Sequence, residues 1–537
     1  WEPTTRPYDT ATFGEDSSYT YAAIYDYCSR FYEMSRLLES DRIDDAKLAS
    51  CDVLVIKTPT EAFSDEEVSA IRQFVDRGGG LLLIGEHTDV FKSSTFLNAI
   101  AKCFGFRFRM DLLFNVGDPY VQKYEPPRVP HPIVQHVPRM HFAVSCSIDP
   151  GSSGGNAPIL NTGLWNLPPE YHTENFFPEP EYRPEIRYGA FVQLWATRHG
   201  NGRVAAWTDS TIFSNFSTFE PGKSELMLGM LEWLNRRSVL DRAELRWAAL
   251  ATVGLLAVSV FGGGLYLARR QGVSMLVALA ASLCGAVLGC VLVSAGQRQA
   301  MPVPSPVRPM TRVIIDRTVS DVPLSRGGFT QENGLGYGLL EQWIPRLGCF
   351  TARRSGPAAF DGDVLVVIAP QRSVSEEYRK GLVEFVANGG KLLVLDSPEV
   401  SGSTANSLLW PFGLAVNHSE SRKGKLALAG GWPGIELENV CEMVGGEAFM
   451  WVEKLPVAAR ASFGRGQVMA VGFGSLMNDN GLGGHWMAEA NPDMLTRSDL
   501  LFALVRALVN DQPVTAPAPR EGAPAKAGAA AKPAKAK

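Results

Sequence analysis

Two long uncharged runs in the middle of the chain constrain it most. Trp247–Leu267 and Val273–Gly296 contain no charged residue, and only Ala268-Arg269-Arg270-Gln271-Gly272 separates them. A helix that crosses the hydrocarbon of a bilayer needs about 20 apolar residues. A core helix of a soluble protein seldom runs that far without a polar face. Both runs are therefore expected to be transmembrane helices, closed into a tight antiparallel hairpin. Gly285 and Gly289 on the second run and Gly262-Gly263-Gly264 on the first are of the kind that let helices approach closely in lipid, although glycine is also simply frequent in membrane helices.

The hairpin, residues 247–296, divides the 537-residue chain into a soluble region over 1–240 and a second over 308–510. A Pro-rich stretch, 297–307, reads as a semi-rigid spacer between the hairpin and the second region. The tail 511–537 is almost all Ala, Pro, Lys and Gly and cannot build a core. A net charge of −5 gives no electrostatic footprint for nucleic acid, and Phe104–Arg109, which alternates aromatic and basic residues, reads as a strand with one wet face. Eight cysteines are too sparse for a disulfide scaffold. The six in the soluble regions fit either core thiols or occasional disulfides.

The two soluble regions repeat each other. Asp52-Val53-Leu54-Val55-Ile56 matches Asp363-Val364-Leu365-Val366-Val367, and the same ungapped offset aligns Pro59 with Pro370, Phe74-Val75 with Phe385-Val386 and Gly78-Gly79 with Gly389-Gly390. Further on, Gly200–Ala206 resembles Gly464–Ala470. Each copy reads as α/β. Asp52–Lys57 is a short buried strand. Ser64 and Glu67 form a capping box that opens a helix through Val68, Ile71, Phe74 and Val75, Gly78 closes it, and Leu81–Ile84 is the next strand. Repeated strand–helix–strand units imply two doubly wound parallel sheets flanking the hairpin. Between Asp149 and Tyr188 no period is visible, and the segment, studded with Trp165, Tyr171, Phe176, Phe177 and Tyr182, is expected to be an ordered loop, with a partner surface as one use for it.

The carrying residues are Asp52–Lys57, Arg77-Gly78-Gly79-Gly80, Gly85-Glu86-His87-Thr88-Asp89, His131-Pro132-Ile133 and Gly202-Arg203-Val204 followed by Asp209-Ser210 and Ser214-Asn215. Together they resemble the class I glutamine amidotransferase-like fold. The likeness is to its non-catalytic, membrane-associated branch, which includes bacterial envelope proteins, accessory proteins of gliding-type ABC transporters and the first domain of intraflagellar-transport scaffold proteins. The enzymes of that fold need a cysteine on the elbow after the second strand. Here the elbow reads Gly85-Glu86-His87-Thr88 in the first copy and Asp396-Ser397-Pro398 in the second, so the resemblance implies no amidotransferase activity.

Ligands of open parallel sheets gather beyond the carboxyl ends of the strands. In the first copy those ends supply Thr58, Glu86, His87, Asp89, Asp209 and Ser210, a polar and partly acidic rim; alternatively His87 and Asp89 cap the turn or helix that follows. The second copy offers Gln371, Asp396, Ser397, Gly474 and Ser475. His131, His136 and His141 recur at a spacing that scatters side chains on a helix or a strand, so no metal and no cofactor is implied.

The expected function is a non-catalytic, membrane-anchored binding or scaffolding protein of the cell envelope, with a membrane or envelope protein as partner. The alternative is a hydrolase or carbohydrate-active enzyme using the first copy's acidic rim. Two spans would place both soluble regions on one side of the plasma membrane, and the exoplasmic side is expected, with Arg269 and Arg270 of the connection inside. The second copy opens with a strand at Arg312–Asp316, whereas Trp1–Asp16 holds no apolar run, so the matching strand is expected upstream of Trp1.

Overall fold

The computed structural model describes residues 6–38, 40–143, 145–167, 179–236, 243–271, 275–331, 334–428 and 431–518. Two compact units emerge. One comprises Tyr19–Met310 with Ser325–Phe329; the other comprises Pro7–Ser18, Thr311–Leu324 and the chain from Thr330.

The first unit contains α1 (Ala22–Ser29), β1 (Val53–Lys57), α2 (Asp65–Asp76), β2 (Gly80–Ile84), α3 (Ser93–Ala101), β3 (Arg107–Phe108), β4 (Leu112–Asn115), β5 (Ile148–Asp149), β6 (Gly155–Leu167), β7 (Arg187–His199), β8 (Gly202–Trp207), α4 (Lys223–Asn235), α5 (Ala243–Gln271) and α6 (Met275–Ala300). Its sheet runs β1-β2-β8-β7-β5-β3, with β6 on β7 and β4 on β6. Strand alternation explains the layering. Leu81 and Leu83 of β2 join Leu54, Ile71 and Phe74 on one face, while Leu82 and Ile84 join Trp207, Leu226 and Met230 on the other. All five residues of β2 are buried, as a strand covered on both faces requires.

The elements of the repeat form as their residues dictate. Ser64 Oγ accepts from Glu67 N at 3.2 Å and Glu67 Oε2 accepts from Ser64 N at 3.0 Å, completing the capping box of α2. Gly78 follows the helix at φ 115°, a left-handed conformation that favours glycine.

The second unit contains β9 (Thr311–Asp316), α7 (Gly338–Trp343), β10 (Cys349–Arg354), β11 (Val364–Ile368), α8 (Glu376–Ala387), β12 (Lys391–Leu395), β13 (Ala415–Leu428), β14 (Pro433–Val444), β15 (Glu447–Val452), β16 (Leu455–Phe463), β17 (Gly466–Val471) and α9 (Pro492–Asn510). Its sheet runs β10-β9-β11-β12-β17-β16-β15-β13-β14. The repeat reaches individual atoms. Thr58 and Ala369, which end β1 and β11, take φ of 37° and 43°. Their amides donate to Ile84 O and Leu395 O respectively. A Cβ on Gly202 or on Gly466 would meet the backbone of the preceding helix end and Gly-Gly turn, at Val75 and Gly79 or at Val386 and Gly390, within 2.4 Å, so glycine is needed at both places.

Two expectations are corrected. The sheets are mixed rather than doubly wound and parallel. Pairing is parallel across β1-β2-β8 and across β10-β9-β11-β12-β17, and antiparallel beyond β8 and β17. The segment expected to be a loop after Asp149 supplies β6, whose pairing with β7 shifts register between Asn156 and Ile159 and again between Asn161 and Leu164. Such bulges break two-residue alternation, which hid the strand. Trp165 stacks on Phe114 at 4.6 Å, whereas Tyr182 is exposed; Tyr171, Phe176 and Phe177 lie outside the described residues.

The second correction concerns the two-span hairpin. Among the described residues one helix, Ala280–Ala300 within α6, is long and apolar enough to cross a membrane. The first run lies within α5 and does not add a second such helix among the described residues. Residues 272–274, between α5 and α6, lie outside the described residues, as does the tail from 519. Without two spans the same-side topology argument lapses. The Pro-rich stretch is also less of a spacer than its composition suggests, because Met301 O accepts from Gln135 Nε2 at 2.6 Å and lies 2.8 Å from His136 Nε2.

Candidate functional site

The ends of β2 and β8 converge on Glu86, which is 3% exposed. Its Oε2 accepts from Ser210 Oγ at 2.7 Å and Thr211 Oγ1 at 3.2 Å, and its Oε1 accepts from His87 N at 2.9 Å. Two tyrosines complete the shell. Tyr21 OH lies 2.9 Å from Ser210 Oγ, and Tyr19 OH lies 2.9 Å from Thr211 Oγ1. Burial raises both phenols, and the Glu86 carboxylate raises them further.

Asp209 is fully buried one residue before Ser210. Burial holds its carboxyl well above the usual range and Glu86 adds to that, while Lys223 and the N–H groups of Thr211 and Ile212 pull the other way. Two carboxyls in one low-dielectric site do not both ionise readily, which is the sense of the shift at Asp209. Lys223, itself buried, ion-pairs with Glu220 at 2.7 Å and hydrogen-bonds Ser217. Burial lowers His87, so its ring is neutral at pH 7. Cys146 donates to Thr208 O at 3.7 Å, and burial pushes its thiol well up, away from thiolate chemistry.

The rim residues inferred from the sequence thus separate. Glu86, Asp209 and Ser210 share the buried cluster, with His87 beside them. Asp89 turns away, accepting from Thr95 N at 2.9 Å and Thr95 Oγ1 at 2.7 Å in the first turn of α3. Thr58 Oγ1 accepts from Lys57 Nζ at 3.3 Å, and its backbone ends the β1 ladder. Sequence reasoning missed Tyr19, Tyr21, Thr211 and Lys223. The Tyr19-Thr20-Tyr21 alternation ahead of α1 was the available signal. Of the histidines, His131 caps a short 3-10 turn by accepting from Ile133 N at 3.3 Å. Among the described residues no group of three or more His, Cys, Asp or Glu could hold a metal ion.

The second unit places Asp396 at the end of β12, 1% exposed. It accepts from Ser397 N at 2.9 Å and Ser403 Oγ at 2.7 Å, and His418 Nε2 lies 3.1 Å from Oδ2. Burial raises Asp396, against the pull of Ser403, Ser397 and His418. His418 was not anticipated. Cys441 is pushed up to about 12 by burial, with Asp396 and Glu399 adding to it.

Residues 31–129 match the IFT52 GIFT domain family. The match takes in β1, α2, β2 and the Glu86 elbow and stops before Asp209. Solved structures similar to the chain include the mmIFT52 N-terminal domain, at 16% identity over 37% of this chain and 83% of that one, with a TM-score of 0.27. A β-galactosidase from Bacillus circulans sp. alkalophilus is 14% identical over 42% of this chain and 35% of its own, with a TM-score of 0.24. A cytoplasmic protein from Salmonella typhimurium is 11% identical over 30% and 87%, with a TM-score of 0.23. Structural likeness this remote transfers neither fold nor activity. No curated protein matches the chain.

Proposed function

We propose that the chain is a non-catalytic binding or scaffolding protein of a membrane-attached assembly, held at the plasma membrane through α6. One observation carries this reading. The elbow after β2, where a nucleophile would stand, bears Glu86, whose carboxylate is engaged by Ser210, Thr211 and the His87 amide inside the unit. The match of residues 31–129 to a domain named for an intraflagellar-transport protein supports a place in a protein complex. Support for attachment comes from α6, where the apolar window of Ala280–Ala300 has none of its residues buried and carries Leu283, Val287, Leu288, Val291 and Leu292 on its exposed surface. Such a surface calls for an apolar surrounding. The hydrolase alternative would draw on the Asp209–Glu86 pair, and both of these carboxyls are buried.

Incubation of the purified chain with glutamine is expected to release no ammonia above buffer. Turnover that Cys146→Ser abolishes would overturn the non-catalytic reading. In cell fractionation the chain is expected to stay with membranes through alkaline carbonate, and Val287→Lys combined with Leu288→Lys is expected to move it to the soluble fraction. Extraction of the unsubstituted chain by carbonate would overturn the anchor.

A further inference from the structure

The parallel strands of the second unit lie in the order β10-β9-β11-β12-β17. The chain steps from β9 outward to β10 through α7, crosses back over β9 to β11, and continues through α8 to β12. Its winding therefore reverses between β9 and β11. Beyond the carboxyl ends of two strands at such a reversal the connections part in opposite directions and leave a crevice, which is where open α/β sheets bind their ligands. The residues at this place are basic. Arg317 directly follows β9, and Arg372 lies four residues beyond β11.

Hydrogen bonds tie the two loops together. Asp316 Oδ2 accepts from Thr318 N at 3.0 Å and Val319 N at 2.8 Å, which folds the turn after β9. Val319 O accepts from Gln371 N at 3.1 Å and Arg372 N at 3.0 Å, which joins that turn to the loop after β11. Arg317 Nη1 donates to Val322 O at 2.7 Å, and Arg372 Nη1 donates to Arg317 O at 3.3 Å. So placed, the two guanidiniums grip one carboxylate, that of Asp321, by one oxygen each. Arg317 Nη2 is 3.2 Å from Oδ1 and Arg372 Nη2 is 2.5 Å from Oδ2. Beside them Arg353 is balanced by the buried Glu341 of α7, with Nε 2.7 Å from Oε1 and Nη2 2.5 Å from Oε2. Burial lowers Arg317 from its ordinary value, and the charges of Arg353 and Arg372 lower it further against the pull of Asp321 and Glu341.

Asp321 is the exposed member of the trio, with 63% of its side chain open to solvent against 27% for Arg317 and 49% for Arg372. An exposed ion pair contributes little to stability, so an incoming anion displaces this carboxylate at small cost. With Asp321 swung out, two guanidiniums face the crevice. A phosphomonoester dianion matches their charge, and its oxygens suit two planar forks of donors. We propose that the β9/β11 crevice of the second unit binds the phosphomonoester group of a small molecule or a lipid headgroup, held by Arg317 and Arg372, with Asp321 as the internal anion that it displaces. The site is independent of membrane attachment, so failure of the anchor reading leaves it standing.

The probes are phenyl phosphate and dihexanoyl phosphatidic acid, each titrated calorimetrically into the full chain in detergent at pH 8, where a phosphomonoester is a dianion. Saturable binding of phenyl phosphate is expected if the source is a small molecule, and of phosphatidic acid alone if it is a lipid headgroup. Arg372→Gln is expected to weaken that binding about tenfold, the loss of one charge-assisted contact. Asp321→Asn removes the competing carboxylate and is expected to tighten it about threefold, which keeps the test informative should Arg372→Gln fail to fold. Benzoate, a single negative charge on the same ring, is expected to bind more weakly than either probe. Absence of saturable binding of both probes, unchanged affinity in Arg372→Gln, weaker binding in Asp321→Asn, or benzoate binding as tightly as the phosphomonoesters would each overturn the proposal.

Discussion

Glu86→Ala is expected to destabilise the first unit by about 3–5 kcal/mol, the largest loss among single substitutions at the strand ends. The substitution leaves Ser210 Oγ, Thr211 Oγ1 and His87 N facing a void where they now donate to one carboxylate. Each buried donor left without an acceptor costs about 1–3 kcal/mol, and the hydroxyls recover part of this by rotating toward Tyr21 and Tyr19. Glu86→Gln keeps one acceptor oxygen, so its loss is expected to be less than half as large. Urea unfolding followed by tryptophan fluorescence measures both, because Trp207 lies within the first unit's core. An alanine variant within about 0.5 kcal/mol of the unsubstituted chain would show that the cluster is not what ties the ends of β2 and β8 together.

Much of this architecture was legible in the residues, and what was not has identifiable causes. The strand, capped helix, Gly-Gly turn and strand of each copy are local, so Ser64, Glu67, Gly78 and the run Leu81–Ile84 declare themselves. Antiparallel pairing past β8 and β17 did not, because bulges at Asn161/Leu164 in β6 and at Asn417/Ser421 in β13 destroy the alternation that marks a half-buried strand. β1 reads as a strand buried on both faces, and only pairing partners far away in sequence decide that Val55 is exposed while Val366 is not. At the site, the carboxylates and Ser210 could be placed at strand ends from topology. The direction in which they point could not, since Tyr21 reaches Ser210 from 189 positions away and Tyr19 reaches the neighbouring Thr211 from 192.

Asp479→Asn is expected to stabilise the second unit above pH 6. Asp479 is buried and accepts from Leu339 N at 2.7 Å. Burial raises its carboxyl from 3.8 to about 6, against the pull of the Leu339 and Gly338 amides. A carboxyl raised on folding binds its proton more tightly in the folded state. Its contribution is therefore fully present below the unfolded value near pH 4 and is lost as pH rises through about 6. At about 1.4 kcal/mol per pH unit, the ionised group costs roughly 2 kcal/mol at neutral pH once partial solvent relaxation is allowed for. Asparagine keeps the oxygen that accepts from Leu339 N and carries no charge, and Asn215 already does this for Ala23 N in the first unit. The melting temperature of the variant, minus that of the unsubstituted chain, is expected to be near zero at pH 4 and to rise to a plateau of about 4–8 °C above pH 6.5. A difference that is negative at pH 7.5, or flat between pH 4 and 7, would mean that the ionised carboxylate is needed to hold the start of α7, and that the cap in the second unit works differently from its asparagine counterpart in the first.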